Sequence, residues 1–296
     1  MKIICNLTVK ISIFFLIAFQ SNAQIIKLNE NQLQINLKTT YTAGASIFDS
    51  SGTLTSIFHD TINSEEKRWN FETGMLNFNL GIQYGITNHW SIGLDLPISY
   101  KWHKETYEPN NNNYREVRFN NELLLLDAII LGTKYYLIDT TLKLFFNGSM
   151  RIPGNFKSNK IDLENYPLYG YGPYSFYSGI GAFYDFNEYY LKAEIGHSLR
   201  SSPFSKQMHY AAEFGLTSIK DIVVAGQAEY VKSYDGQNQL MNIRQYQYFN
   251  EYLLVGFLFS LVLDNKFITD FSYKVHLLGK NSVLLGDFNI TLGIIL

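Results

Sequence analysis

Apolar and polar side chains alternate with a period of two along most of this chain. The clearest stretch is Leu76, Phe78, Leu80, Ile82, Tyr84 and Ile86, interleaved with Asn77, Asn79, Gly81, Gln83 and Gly85. Successive side chains of an extended strand point to opposite faces, so one face here is apolar and the other polar or bare. After Thr87-Asn88-His89 the pattern restarts as Trp90, Ile92, Leu94, Leu96, Ile98, Tyr100 and Trp102, with Ser91, Gly93, Asp95, Pro97, Ser99 and Lys101 between them. The two runs predict a hairpin whose strands are longer than the usual soluble strand of about five or six residues.

The second run begins and ends its apolar face with aromatics, Trp90 at one end and Tyr100 with Trp102 at the other. At about 3.3 Å per residue along a tilted strand, Trp90 to Tyr100 covers roughly the 25 Å apolar band of an outer-membrane barrel, with aromatics where the interfacial girdles lie. The same alternation predicts strands at 32–48, 118–137, 141–151, 174–186, 189–200, 208–219, 222–234, 246–262, 267–278 and 283–296. With the hairpin these make about twelve, and ten or fourteen are the neighbouring even counts that bacterial single-chain barrels adopt. The expected fold class is all-β: a transmembrane, antiparallel, up-and-down β-barrel.

Connection lengths alternate as well. Tight links at Thr87–His89, Ile138–Thr141, Asn187–Glu188, Lys220–Asp221 and Asp264–Lys266 interleave with longer polar segments at 49–68, 104–117, 152–173, 201–207 and 235–244. Short turns on the periplasmic side and long loops on the outer side are the pattern of such barrels. The last connection, Gly279–Ser282, is short and departs from it. From Leu284 through Phe288 to Leu296 the alternation runs to the terminal residue, resembling the C-terminal signal read by barrel-assembly machinery, with Leu296 where an aromatic is usual. In Glu122–Leu137 both faces are apolar around Asp127, so parity does not decide whether Asp127 or Lys134 points inward, and a β-bulge between them is expected to switch faces.

The N-terminus sets the compartment. Lys2 and Lys10 precede an apolar run from Ile11 to Phe19, followed by Ser21-Asn22-Ala23. The run is shorter than the roughly 20 residues of a spanning helix and reads as a signal peptide over 1–23. A short periplasmic segment over 24–31 and a barrel over 32–296 then follow. Cys5, the single cysteine, lies inside the signal, which leaves the mature chain without disulfide, thiolate-metal or cysteine-nucleophile chemistry. A net charge of −2 without a basic stripe argues against nucleic acid as a partner. Mean hydropathy near zero at 46 % hydrophobic residues suits alternating faces.

If the apolar parity faces lipid, the opposite parity sends Asp95, Lys143, Arg151, Lys192, Glu194, Glu213, Glu229, Asp270, Lys274 and Asp287 into the lumen. An Arg or Lys at the lipid midplane would cost about 2–4 kcal/mol, so inward placement is compelled wherever these lie at depth. The interior charges then either pair across strands and fill a narrow barrel or line a polar pathway, with Asp95 its best single lining candidate. Tyr166, Tyr169 and Tyr171, near Tyr174 and Tyr177, are candidates for an aromatic mouth on the outer side or for the outer girdle. The polar run Asn110–Asn113 between Tyr107 and Tyr114 reads as a solvated loop tip or a ligand contact.

No catalytic, metal-ligand or phosphate-loop spacing occurs, and no cofactor is expected. The nearest approach to a lipid hydrolase is His197-Ser198, but adjacent strand residues point to opposite faces and cannot form a nucleophile pair.

The segment Gly81-Ile82-Gln83-Tyr84-Gly85-Ile86-Thr87-Asn88-His89-Trp90-Ser91-Ile92-Gly93-Leu94-Asp95-Leu96-Pro97 resembles a hairpin of transporter-like outer-membrane barrels. One such group is associated with the meta-pathway of phenol degradation. Asp127 followed by Leu131-Gly132-Thr133-Lys134-Tyr135 resembles a second strand of that group. The resemblance implies an outer-membrane barrel for passive or gated passage of small solutes, hydrophobic ones included. Its partners would be outer-membrane lipid, the assembly machinery during biogenesis and an unidentified small solute. The alternative is a structural or adhesion barrel acting through its outer loops, and behind it a membrane lipid hydrolase. Passage predicts a continuous lumen or a lateral opening around Asp95, where Gly93 and Pro97 could kink the strand.

Overall fold

The computed structural model describes residues 27–48, 51–55, 58–62, 65–108, 116–154, 174–201, 204–234, 251–280 and 282–296. The expected signal peptide, Asn110–Asn113 with Tyr114, and Tyr166, Tyr169 and Tyr171 lie outside them. The regular elements are strands: β1 (Leu33–Phe48), β2 (Leu54–Thr55), β3 (Phe58–Ile62), β4 (Glu65–Thr87), β5 (Trp90–Glu108), β6 (Glu116–Leu126), β7 (Ala128–Asp139), β8 (Leu142–Pro153), β9 (Ser175–Asp185), β10 (Tyr189–Arg200), β11 (Lys206–Leu216), β12 (Ile222–Tyr234), β13 (Glu251–Leu263), β14 (Phe267–Lys280) and β15 (Ser282–Ile295). All pairings are antiparallel. Because β1 pairs with both β15 and β4, the sheet closes on itself. β6 and β7 pair with successive stretches of β5 and fill one position in the wall, while β2 and β3 sit outside the ring. The ring is therefore twelve-stranded. Closure leaves no free edge, so the wall backbone is satisfied without water.

The alternation becomes an inside and an outside. Leu37, Phe78, Leu80, Ile92, Ile98, Leu131, Ile180, Leu191, Phe214 and Phe257 are exposed on the outer face. Gln34, Asn36, Thr42, Asn79, Ser99 and Lys101 are buried on the inner one. A soluble monomer rarely exposes a contiguous apolar patch beyond a few hundred Å². A closed barrel wearing such a belt around its circumference is an outer-membrane protein. Aromatics mark the belt's edges. At the short-turn end Phe186 stacks on Tyr189 at 4.7 Å and meets the tilted ring of Tyr184 at 4.4 Å. Nearby, the Trp90 indole N–H donates to Thr133 Oγ1 at 2.8 Å. Tyr100 and Trp102 sit 5.5 Å apart toward the other end.

The short turns rely on residues that tolerate the left-handed region. Asn187, Asp221, Asp264 and Asn265 have φ of 75°, 64°, 51° and 53°. The Asp264-Asn265 pair closes a two-residue turn in which the Lys266 N–H donates to Leu263 O at 2.9 Å. At the other end the wall is taller than expected. β4 and β5 continue in register to Arg68 opposite Glu108, so parts of the loops expected over 49–68 and 104–117 are strand.

A break falls at Asp127. Its N–H donates to Pro97 O at 2.8 Å, its carbonyl accepts from the Gly154 N–H at 3.1 Å, and β7 then resumes with Ala128 buried inside. Two successive residues thus face inward and the phase shifts by one, which puts both Asp127 and Lys134 in the interior.

The described part of the segment expected to be periplasmic, Lys27–Asn31, crosses the short-turn mouth. Leu28 packs against Ile268 and Ile295. Asn31 N–H donates to Gly85 O at 2.8 Å, and Gly85 N–H donates to Gln32 O at 2.9 Å. Gly85 is required there, since a Cβ would stand 2.0 Å from Asn29 O. Lys27 reaches the far wall, where it pairs with Asp139.

Candidate functional site

Above that strap the lumen carries an apolar layer. Tyr136, Phe145, Phe183, Tyr190, Val223, Ala225 and Leu258 form one buried cluster on the inner faces of β7, β8, β9, β10, β12 and β13. Large rings fit because glycine faces them across the strand pairs. Phe145 is opposite Gly181 and Tyr190 opposite Gly215, and a Cβ on either glycine would come within 2.3 and 2.1 Å of the facing ring. Phe183 and Tyr190 stack at 5.1 Å. Lysines approach these rings, with Lys134 Nζ 4.4 Å from the Phe145 centroid and Lys143 Nζ 5.4 Å from that of Phe183. A desolvated cation on a ring face gains up to about 2 kcal/mol.

Every described lumen candidate lies at inward parity, and most are held by a neighbour. Asp95, on β5, accepts from Asn79 Nδ2 at 3.1 Å. Arg151, on β8, pairs with Asp127 at 3.2 Å, and the same carboxylate takes Lys101 Nζ at 2.5 Å. Glu194 accepts from Tyr177 Oη at 2.7 Å. Glu213 accepts from Tyr190 Oη and Gln227 Nε2, each at 2.6 Å. Glu229 pairs with Lys274 at 3.4 Å, and Asp270 accepts from Ser260 Oγ at 2.5 Å. Asp287, 1 % exposed, lies in register with Lys274 on β14 and Thr42 on β1. Lys143 makes the ring contact already described.

The lumen candidate Arg151 gathers two residues that sequence reading did not assign to the interior: Lys101, and Asp127, whose direction parity left open. Lys101, Asp127 and Arg151 form a buried triad. Lys38 shares the inward parity of Gln34 and Asn36. Tyr177 was grouped with the outer tyrosines. Instead it turns inward and is 5 % exposed, its ring lying across Gly179 and Gly196, while Tyr174 is 54 % exposed. The signal was present in the strand phase, because Tyr177 is two residues from Ser175 and Gly179 at inward parity.

Over the apolar layer the lumen holds a partly open cavity of about 140 Å³ between β5, β7, β8 and β10. Asp95, Lys134, Phe145, Arg151, Tyr177 and Glu194 are among its lining residues, with Gly93 and Gly132 leaving the wall bare on that side. Gly93 and Gly132 are directly paired, and β5 passes from β7 to β6 near Asp95 and Ile98 with its backbone bonded.

His197 and Ser198 do not come together. His197 stacks on Tyr234 at 5.5 Å on the outer face, whereas Ser198 is buried inside. Among the described residues no cluster of three or more potential metal ligands occurs.

No family profile and no curated protein matches the chain. Solved structures do. An outer-membrane channel from Pseudomonas putida F1 superposes with a TM-score of 0.56 at 9 % identity, over 91 % of this chain and 96 % of that one. The fold is that of an outer-membrane β-barrel. The translocator domain of the autotransporter NalP from Neisseria meningitidis follows at 0.47, with 10 % identity over 93 % and 92 % of the two chains. The toluene transporter TbuX from Ralstonia pickettii gives 0.45, with 8 % identity over 90 % of each.

Proposed function

We propose that this barrel is a channel for passive, gated passage of small solutes, hydrophobic ones included, across the outer membrane, and that it performs no catalysis. The observation that carries the proposal is the internal cavity beside Asp95, walled by charged groups and separated from the short-turn mouth by the aromatic layer and the Lys27–Asn31 strap. The fold shared with a channel supports the reading. So does the resemblance of the Gly81–Pro97 hairpin and the Asp127–Tyr135 strand to the barrels associated with the meta-pathway of phenol degradation, the group in which we place the chain.

The test is single-channel recording of the refolded mature chain in planar bilayers, alongside a form lacking residues 27–31 and the substitutions Asp95→Ala and Lys143→Ala. Brief, small openings are expected of the wild type and longer ones of the deletion. Ion preference should move toward anions for Asp95→Ala and toward cations for Lys143→Ala. Folded barrels that stay silent with and without the strap would overturn the proposal and return weight to a role for the outer loops.

A further inference from the structure

The apolar belt is hollowed where β14, β15 and β1 meet. A groove of about 310 Å³ opens there on the outer face, with Tyr41, Ala43, Ala45, Tyr273, Gly286 and Phe288 among its lining residues. A bulge shapes it. Ala43 pairs with Gly286 and Ser46 with Leu284, so Gly44 and Ala45 together oppose one residue of β15, and β1 parts from β4 after its last pair, Gly44 with Thr73. The three rings form one register row, Tyr41–Phe288–Tyr273, at the lower end of the groove, and the small residues Ala43 and Gly286 lie in the next row. Tyr41 Oη is shielded from solvent and, among the described residues, has no hydrogen-bond partner.

Toward the long connections, roughly 15 Å along β14 from the groove, stands the exposed Lys280. It shares a register row with Glu251 on β13 and the exposed Lys232 on β12, all at outward parity, and Lys206 faces outward on β11 beside them. The Glu251 carboxylate takes the Tyr230 hydroxyl and, among the described residues, forms no ion pair with either neighbouring lysine. This flank thus sets three lysines against one carboxylate. The far flank reverses the balance, with Glu72 and Glu122 outward beside Lys104. Long connections turn to the cell exterior in such barrels, which puts the lysine row at the headgroups of the outer leaflet and the groove among its acyl chains. We propose that this face is a docking site for a phosphorylated glycolipid of the outer leaflet, with an acyl chain in the groove and the phosphate head over the Lys280–Lys232 row. The two lysines stand two strands apart, roughly 10 Å at the backbone, and their flexible four-carbon stems bring both ammonium groups within reach of one head. Basic side chains at a membrane surface attract anionic lipid heads in this way. A lipid oxygen would also satisfy Tyr41 Oη, which the wall leaves without a partner. The site is independent of whether solutes cross the lumen.

Native mass spectrometry of the folded mature barrel, released from detergent after incubation with bis-phosphorylated lipid A, its dephosphorylated form or soluble glucosamine 1-phosphate, tests the site. Lipid A should be retained at least about tenfold better than the dephosphorylated lipid, and the soluble head should not be retained. Lys232→Gln combined with Lys280→Gln should bring lipid A down to the dephosphorylated level, whereas Lys104→Gln on the far flank should leave it unchanged. Ala43→Phe, which fills the groove, should weaken both lipids several-fold. Unchanged heat-dependent gel migration verifies that each variant is folded. Equal retention of the two lipids, or lipid A binding indifferent to the lysine pair, would overturn the docking site. So would binding that survives Ala43→Phe, since the chain would then lie elsewhere, and so would a soluble head held as well as lipid A, since the face would then read phosphate alone.

Discussion

The Lys27 ammonium meets the Asp139 carboxylate across the short-turn mouth, although 112 positions separate the two residues. One residue on, Leu28 is buried against Ile268 and Ile295 on the opposite wall. The strap is thus held to both sides of the lumen, by an ion pair with β7 on one side and an apolar contact with β14 and β15 on the other, besides its backbone bond to Gly85 on β4.

Loosening either pin should open the lumen and leave the barrel folded. A partly exposed ion pair contributes only about 0–1 kcal/mol, so Lys27→Ala should lengthen openings modestly. Burying a leucine is worth about 1.5–3 kcal/mol, so Leu28→Asp should lengthen them several-fold more. Open dwell times in planar bilayers measure both. Dwell times that match wild type in Leu28→Asp would show that the strap does not gate.

The Lys101–Asp127–Arg151 triad predicts a strong asymmetry between single and combined substitutions. One carboxylate is shared by two buried cations, and Asp127→Asn takes that charge from both. Breaking a buried pair in this way costs about 3–5 kcal/mol, whereas replacing the whole group with apolar side chains of similar volume is often neutral. Urea unfolding in lipid vesicles should therefore show Asp127→Asn as strongly destabilised. A form that also carries Lys101→Met and Arg151→Met should recover most of the loss. Destabilisation that grows with each added substitution would contradict this account.

Much of the site was readable from strand phase alone. The parity that sent Lys143 and Arg151 inward also sends Phe145 inward, since all three are an even number of residues apart. Phe145, Phe183 and Tyr190 nevertheless look like lipid-facing residues by type, and only the glycine opposite a ring reveals that there is space for it inside. Tyr177 was misgrouped for the same reason, because a tyrosine near a strand end resembles a girdle residue until its phase is fixed. The break at Asp127 resisted phase reading because Leu125, Leu126, Ile129 and Ile130 make both faces apolar. The strap carries no periodicity at all. Its position follows from the close approach at Gly85 and from contacts with residues far along the chain, which no local pattern encodes.

Two glycines on neighbouring strands should respond unequally to the same change. At Gly215 a Cβ would lie 2.1 Å from the Tyr190 ring, which is itself 1 % exposed, stacked on Phe183 and bonded to Glu213. The ring cannot retreat without giving up those contacts, and overpacking of this kind costs about 1–3 kcal/mol. At Gly226, on the outer face of β12, a Cβ would meet nothing within 4 Å. Gly215→Ala should therefore lower the urea midpoint in vesicles clearly, while Gly226→Ala should stay within about 0.5 kcal/mol of wild type, as surface substitutions do. Combining Gly215→Ala with Tyr190→Leu removes the clash and should cost less than the sum of the two single changes, the sign of direct coupling between them. Additive losses in that cycle would mean that the ring does not rest on Gly215, and the aromatic layer would then need another explanation for its packing.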